Sequence, residues 1–246
     1  ITDRKLTEFS KEEVQQLMEK YRWLVFTGNP VQETEVADFM GQYGKLTLND
    51  RRDDGVLTIN NAKEKDGEVL LGNGFLPLHQ DGALMGTKVD WVGIFGVSNN
   101  NVTSGGRTFI VDVESAMEEV PKEYLDTLYE KGIEVKPNDG YYSKTTGEWF
   151  HLSCSEEVDG KKYLGPGFPT PKGIKQSWTM RIPGVSEEKF DEIFSRLDDI
   201  VMQEKYCYHH EWKERDLLLV DNRRTLHGRE AFEGERCLAN IQLLAD

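Results

Sequence analysis

Leu76-Pro77-Leu78-His79-Gln80-Asp81-Gly82 leads out of a glycine-rich stretch, and far along the chain Leu217-Leu218-Leu219-Val220-Asp221-Asn222-Arg223-Arg224-Thr225-Leu226-His227 closes an apolar run with a turn and then a histidine. Two imidazoles and one carboxylate, from His79, Asp81 and His227, are the donor set that holds one face of a non-haem iron(II) ion and leaves the opposite positions open. Both histidines fall at the ends of expected strands, where a rigid sheet can aim them. His-x-Asp alone arises often by chance, and an isolated histidine is more commonly a core residue than a ligand. The weight of the reading therefore lies in what accompanies the triplet.

That company is basic and well spaced. Gly105-Gly106-Arg107-Thr108 follows the first pair, and Arg229 and Arg236 follow the distal histidine. An arginine about ten residues beyond that histidine suits a keto-acid cosubstrate, because a planar guanidinium grips a carboxylate through two parallel hydrogen bonds.

With these residues in place, Leu76 to Asp112 and Tyr206 to Gln242 resemble the taurine dioxygenase and clavaminate synthase-like group of iron(II)- and 2-oxoglutarate-dependent oxygenases, and within it carbapenem synthase. The resemblance runs from about Gly72 to the C-terminus, through Pro121 to Leu128, Gly140-Tyr141-Tyr142, Ser177-Trp178 and Leu217 to Glu230, and is loose before Gly72. It implies iron ligation by His79, Asp81 and His227, 2-oxoglutarate binding by Thr108 and Arg236, and a place for Arg229 near cosubstrate or substrate. Halogenases of the group carry Gly or Ala at the carboxylate position, so Asp81 argues against halogenation. Ser-Trp-x-x-Arg makes Trp178 and Arg181 candidates for substrate contact. Asn240 stands where carbapenem synthase carries an arginine, which implies a different substrate. The fold implied is α+β and mainly β, a double-stranded β-helix of jelly-roll or cupin type with flanking helices; periodicity alone gives only a strand-rich mixed domain.

The activity implied is hydrogen abstraction from a small amino-acid-derived carboxylic acid, with Fe(II), 2-oxoglutarate and O2, leading to cyclisation, desaturation or epimerisation in natural-product biosynthesis. Hydroxylation of a free amino acid or related acid is nearly as well supported. Two other classes stay open: a non-catalytic metabolite sensor that keeps the ligands, against which Thr108 and Arg236 speak, and a zinc hydrolase, against which the lack of a general base beside the triad speaks.

Composition agrees with a single oxygenase domain over 1–246, with hydrophobic residues at 37% and aromatics at 10%. The net charge of −14 disfavours nucleic acid and anionic membrane surfaces as partners. Cys154, Cys207 and Cys237 lack zinc-like spacing and read as thiols in a reducing compartment. No apolar run approaches the ~18 residues of a membrane span, and Ile1-Thr2-Asp3-Arg4-Lys5 lacks the apolar stretch of a signal peptide, so a cytoplasmic location is the expectation. A homo-oligomer is compatible with the sequence, although no apolar stripe compels one.

Along the chain, Ser10 is expected to cap a helix over 11–21, followed by a strand over 23–28 and a helix over 34–44. Residues 49–78 read as a lid containing a strand at 56–59, or equally as a solvated loop. Further strands are expected at 91–97 and 107–112, a helix over 115–131 broken near Pro121, and a helix over 185–205 capped by Ser186. Residues 138–183, rich in Gly, Pro and aromatics, read as an insertion covering the active site. His209-His210 suggests no second metal site, since strand neighbours point to opposite faces. The Asp221-Asn222-Arg223-Arg224 turn is expected to set the direction of His227.

Overall fold

Ser10 opens the first helix through a reciprocal cap: its hydroxyl accepts from the Glu13 amide at 3.2 Å, and the Glu13 carboxylate accepts from the Ser10 amide at 2.8 Å. Ser186 caps the longest helix by a single bond, its hydroxyl accepting from Lys189 N at 3.3 Å. The helices are α1 (Lys11–Tyr21), α2 (Glu33–Gly41), α3 (Val113–Met117), α4 (Lys122–Lys131) and α5 (Glu187–Val201). The strands are β1 (Trp23–Phe26), β2 (Gly44–Leu46), β3 (Val56–Asn60), β4 (Leu76–His79), β5 (Trp91–Ser98), β6 (Ser104–Gly105), β7 (Thr108–Asp112), β8 (Ile133–Pro137), β9 (Phe150–Leu152), β10 (Ser155–Val158), β11 (Lys161–Leu164), β12 (Trp178–Arg181), β13 (Cys207–His210), β14 (Leu217–Asp221), β15 (Thr225–Arg229), β16 (Phe232–Glu233) and β17 (Cys237–Ala245). The computed structural model describes residues 6–29, 32–47, 55–61, 72–83, 86–99, 101–138, 147–174 and 178–245, the side chains of residues 33 and 34 excepted.

Two helices end earlier than the sequence expectations. The second helix stops at Gly41 rather than residue 44, because residues 44–46 are taken up by β2 in its pairing with β17. The stretch 115–131 is broken at Pro121 as expected, into α3 and α4, with Pro121 as N-cap of the second. The last helix ends at Val201, short of residue 205.

Two antiparallel sheets face each other. The larger runs β1-β14-β5-β17-β2, with β3 also on β17; the smaller runs β13-β7-β15-β4. Alternation along each strand divides their side chains between inside and outside. Leu217 and Leu219 of β14, with Ala239, Ile241 and Leu243 of β17, face outward onto Val14 and Met18 of α1 and Val36 and Met40 of α2. Leu218, Val220 and Leu238 face inward and meet Ile110 of the smaller sheet. On the smaller sheet Leu76, Leu78, Phe109, Val111 and Leu226 point outward onto Phe190, Ile193, Phe194 and Leu197 of α5. Each Val, Leu, Ile, Phe or Met side chain among them, fully buried, stabilises the fold by roughly 1.5–3 kcal/mol relative to exposure. The core is therefore a double-stranded β-helix with helices on both outer faces.

One further pairing matters for the site. Residues 165–168 lie along β4: Phe168 N donates to Leu78 O and Gln80 N to Pro166 O, both at 2.8 Å, and Gly167 bridges His79. A Cβ on Gly167 would stand 2.9 Å from Leu78 O, so only glycine permits this approach.

The region 138–183 supplies β9 to β12, while Gly140-Tyr141-Tyr142 and Ser177 lie outside the described residues. Of the stretch 49–78, β3 pairs with β17 and β4 with β15, and residues 62–71 lie outside the described residues. Among the described residues no helix is long and apolar enough to cross a membrane.

Candidate metal centre and its basic pocket

The inward face of the smaller sheet carries Pro77 and His79 on β4, Thr108 and Ile110 on β7, and Thr225, His227 and Arg229 on β15. β4 and β15 are neighbours in a register that sets His227 directly opposite His79, and their ring centroids are 4.6 Å apart. Both are buried, at 7% and 4% exposure. His79 Nδ1 lies 2.9 Å from the Pro77 carbonyl, an acceptor only, so the ring proton sits on Nδ1 and Nε2 presents its lone pair. His227 Nδ1 is buried without a hydrogen-bond partner among the described residues. Burial, and then the proximity of His79, push the His227 imidazole below its ordinary value, keeping it neutral near pH 7.

Asp81 lies just past the end of β4 and brings Oδ1 to 3.3 Å from His79 Nε2 and 3.5 Å from His227 Nε2. Its backbone is fixed by Asn222, whose Oδ1 accepts from Asp81 N at 2.8 Å and whose Nδ2 donates to Asp81 O at 3.0 Å and Val89 O at 2.9 Å. Asp81 Oδ2 accepts from Asn240 Nδ2 at 2.8 Å and Gln242 Nε2 at 2.9 Å, both from β17 of the opposite sheet. Burial opposes ionisation of this carboxyl but is outweighed by the two imidazoles beside it, His227 before His79, which hold it well below the usual carboxylate range.

Two imidazoles and one carboxylate thus converge. Their ligating atoms lie within 4.8 Å of one another, the one group of His, Cys, Asp and Glu donors among the described residues that is placed to hold an ion. The donor set, with hard oxygen and borderline nitrogen on one side only, fits a divalent ion such as iron(II).

Two residues along β15 from His227, roughly 7 Å by strand geometry, a basic pocket begins. Arg229 pairs in register with Thr108 and donates to the Gly74 carbonyl from Nε at 3.2 Å and from a terminal nitrogen at 2.9 Å. Arg236 donates to the Gly106 carbonyl, and its guanidinium lies 4.5 Å from the Phe232 ring centroid, with that of Arg229 5.7 Å from the same ring. Arg229 and Arg236 are 5% and 4% exposed. Among the described residues no carboxylate lies within ion-pair distance of Arg236. Burial, reinforced by the charge of Arg229, pushes Arg236 down to about 9. A buried guanidinium without an anion is costly, and a bound carboxylate would relieve that cost. Thr108, whose Oγ1 accepts from Trp212 Nε1 at 2.9 Å, keeps its own hydroxyl proton to offer. This chemistry fits the distal carboxylate of 2-oxoglutarate.

The residues singled out for substrate contact are dispersed. Trp178 is 1% exposed, donates to the Phe168 carbonyl at 3.1 Å, and has its ring 6.2 Å from that of His79. Arg181 falls on the other face of β12, where it pairs with Glu134 at 2.6 Å and stacks 4.2 Å from the Trp149 ring centroid in solvent. Asn240 is turned onto Asp81. His210 is buried and His209 half-buried, as opposite faces of β13 require. Sequence reasoning gave Asn222 only a turn-forming role and passed over Gln242. The signal for Gln242 was present: in Leu238-Ala239-Asn240-Ile241-Gln242-Leu243 the inward positions turn from apolar to amide at a spacing of two.

The family model "Taurine catabolism dioxygenase TauD, TfdA family" matches residues 2–242. Among curated proteins, tyrosine isonitrile desaturase of Pseudomonas aeruginosa is 22% identical over 172 residues, 69% of this chain and 59% of the desaturase, so the match spans less than two thirds of that relative. The 3-((Z)-2-isocyanoethenyl)-1H-indole synthase of Fischerella ambigua is 21% identical, with 97% of this chain and 88% of that protein covered. Among solved structures, PvcB of Pseudomonas aeruginosa superposes with a TM-score of 0.73 at 19% identity, covering 100% of this chain and 84% of PvcB.

Proposed function

The chain belongs to the TauD, TfdA family of dioxygenases, and from that premise we propose that it is an iron(II)- and 2-oxoglutarate-dependent oxygenase that desaturates a small amino-acid-derived substrate in natural-product biosynthesis. One observation carries this reading: the donor set of His79, His227 and Asp81 stands one strand repeat from Arg229, which shares the Phe232 ring with the buried cation Arg236, and Arg236 lacks a carboxylate partner among the described residues. Desaturation is preferred to cyclisation or epimerisation because the two curated relatives are named as a desaturase and as the synthase of an ethenyl product.

Iron(II), when bound, would let dioxygen supply the oxidising equivalents for removing hydrogen from an unactivated carbon, with the keto acid consumed as co-reductant. The protein's share is placement. His79 and His227 offer their nitrogens from a rigid ladder, and Asp81 adds the one negative charge. Arg236 and Thr108 orient the cosubstrate by its far carboxylate, with Arg229 beside them. Trp178 closes the wall beside His79 and keeps water from it. Where the substrate is held relative to this wall decides whether its radical loses a second hydrogen or recovers hydroxyl. The segment 138–183 is the covering element in this scheme, and the cytoplasm, where Cys154 and Cys207 stay reduced, is the proposed location.

The test is turnover. Anaerobic addition of iron(II) and 2-oxoglutarate should give the visible charge-transfer band of a chelated keto acid. Oxygen with an isonitrile-bearing amino acid should then give succinate and a product lighter by two hydrogens. A product heavier by one oxygen would turn the reading to hydroxylation, and a missing band in metal-loaded protein would end it.

A further inference from the structure

We infer that Asn240 and Gln242 are positioning residues that hold Asp81 so that it offers the metal a single oxygen; this rests on the reading of the site as an iron centre. The histidines need little help, since both are fixed in a hydrogen-bonded ladder. Asp81 lies beyond the strand end, and its carboxylate can rotate about its own bond. Were both oxygens to ligate, the two histidines and the carboxylate would take four of the six positions of an octahedral ion. A chelating keto acid needs two and oxygen a third, so one carboxylate oxygen has to be kept off the metal.

The hydrogen bonds divide the two oxygens in this way. Oδ1 faces both Nε2 atoms, at 3.3 and 3.5 Å. Oδ2 is occupied by two amide donors, at 2.8 and 2.9 Å. An ionised carboxylate only accepts, so it also fixes the amide of Asn240 with Nδ2 towards Asp81. Asn240 Oδ1 then points away and is buried without a partner among the described residues. An apolar side chain at 240, between Ala239 and Ile241, would leave no such orphan; the amide is retained at a cost in stability for what its N–H does. Asn240 and Gln242 come from the larger sheet and the histidines from the smaller, so Asp81 is gripped from across the interior. An arginine at 240, as in the relative that the sequence resembles, would serve a substrate anion. Here the position serves the metal ligand.

Manganese(II) binding, read from the EPR signal of the free ion, and the keto-acid band at saturating iron(II) test this in wild type, Gln242→Met and Asn240→Leu. Gln242 is only partly buried, so its variant tests the inference should Asn240→Leu fail to fold. The expected result is manganese affinity lower by about 10–100-fold, the usual effect of losing a hydrogen bond to a ligand, together with a shifted or weakened band at metal saturation. Unchanged affinity overturns the inference. So does lowered affinity with an unaltered band, since Asp81 would then keep its single-oxygen mode unaided. Wild-type protein that binds no metal, or binds it and gives no band, instead sinks the oxygenase reading and the inference with it.

Discussion

His79 and His227 occupy one rung of the β4–β15 ladder, with ring centroids 4.6 Å apart and Asp81 Oδ1 before both. Removing either imidazole removes a donor and leaves the rung intact. His227→Ala should therefore fold, with its melting temperature in metal-free buffer near that of wild type, while iron(II) affinity falls by more than the ~100-fold typical of outer-shell changes. Calorimetric titration with and without metal checks both halves.

Arg236 is the buried cation that awaits an anion. Arg236→Met should remove the thermal stabilisation given by 2-oxoglutarate in wild type and weaken its binding by about 2–5 kcal/mol, at least ~30-fold. Binding needs the protonated guanidinium, which burial has pushed down to about 9. The affinity of wild type should thus be flat to pH 8 and fall above 9, by roughly tenfold near pH 10. A flat profile to pH 10 would show that Arg236 keeps its proton throughout.

His210 sets an acid limit on stability. It is 3% exposed, lies against Trp212 with ring centroids 4.5 Å apart, and has Nε2 3.4 Å from Asp216 Oδ2 without the alignment of a hydrogen bond. Burial outweighs the Asp216 charge and lowers its affinity for a proton below the ordinary 6.5. The unfolded chain then binds the proton more readily than the folded one, so stability is fully present above pH 6.5 and is lost as pH falls through the lower folded value. Metal-free melting temperatures between pH 7.5 and 5 should decline, and less steeply in His210→Gln.

Arg224 ties the turn before His227 to two distant elements. It pairs with Glu19 of α1 at 2.7 Å, with Asp159 between β10 and β11, and with buried Asp221 at 3.4 Å. Glu19 and Asp159 are exposed partners that contribute little. Arg224→Leu strands Asp221, a loss of about 3 kcal/mol; this is the low end for a broken buried pair, because burial already raises the Asp221 pKa and eases its protonation. Urea denaturation measures the loss.

The metal donors were legible because each obeys a local rule, a histidine at a strand end and a second one closing an apolar run, while Arg229 and Arg236 drew attention through their spacing beyond that second histidine. The two-sheet arrangement was legible only through resemblance, since alternation assigns faces without saying which strands meet. The tie of Asn222 and Gln242 to Asp81 was not legible, even though the inward amide at 242 was, because Asp81 is 141 and 161 residues away in sequence. Arg181 illustrates the converse: its spacing from Trp178 puts the two on opposite faces of one strand, and the same parity rule that places His227 sends Arg181 to solvent.

The pairing of residues 165–168 with β4 has a consequence for how the protein behaves in a crowd. β4 is the last strand of its sheet, and its outer amides and carbonyls would otherwise be a template for a strand from another molecule. Gly167 and its neighbours occupy that margin. Variation in this stretch is therefore constrained by aggregation as well as by catalysis, and a family member that reshapes its substrate cover has more freedom in the β10–β11 hairpin than in the few residues that seal the edge.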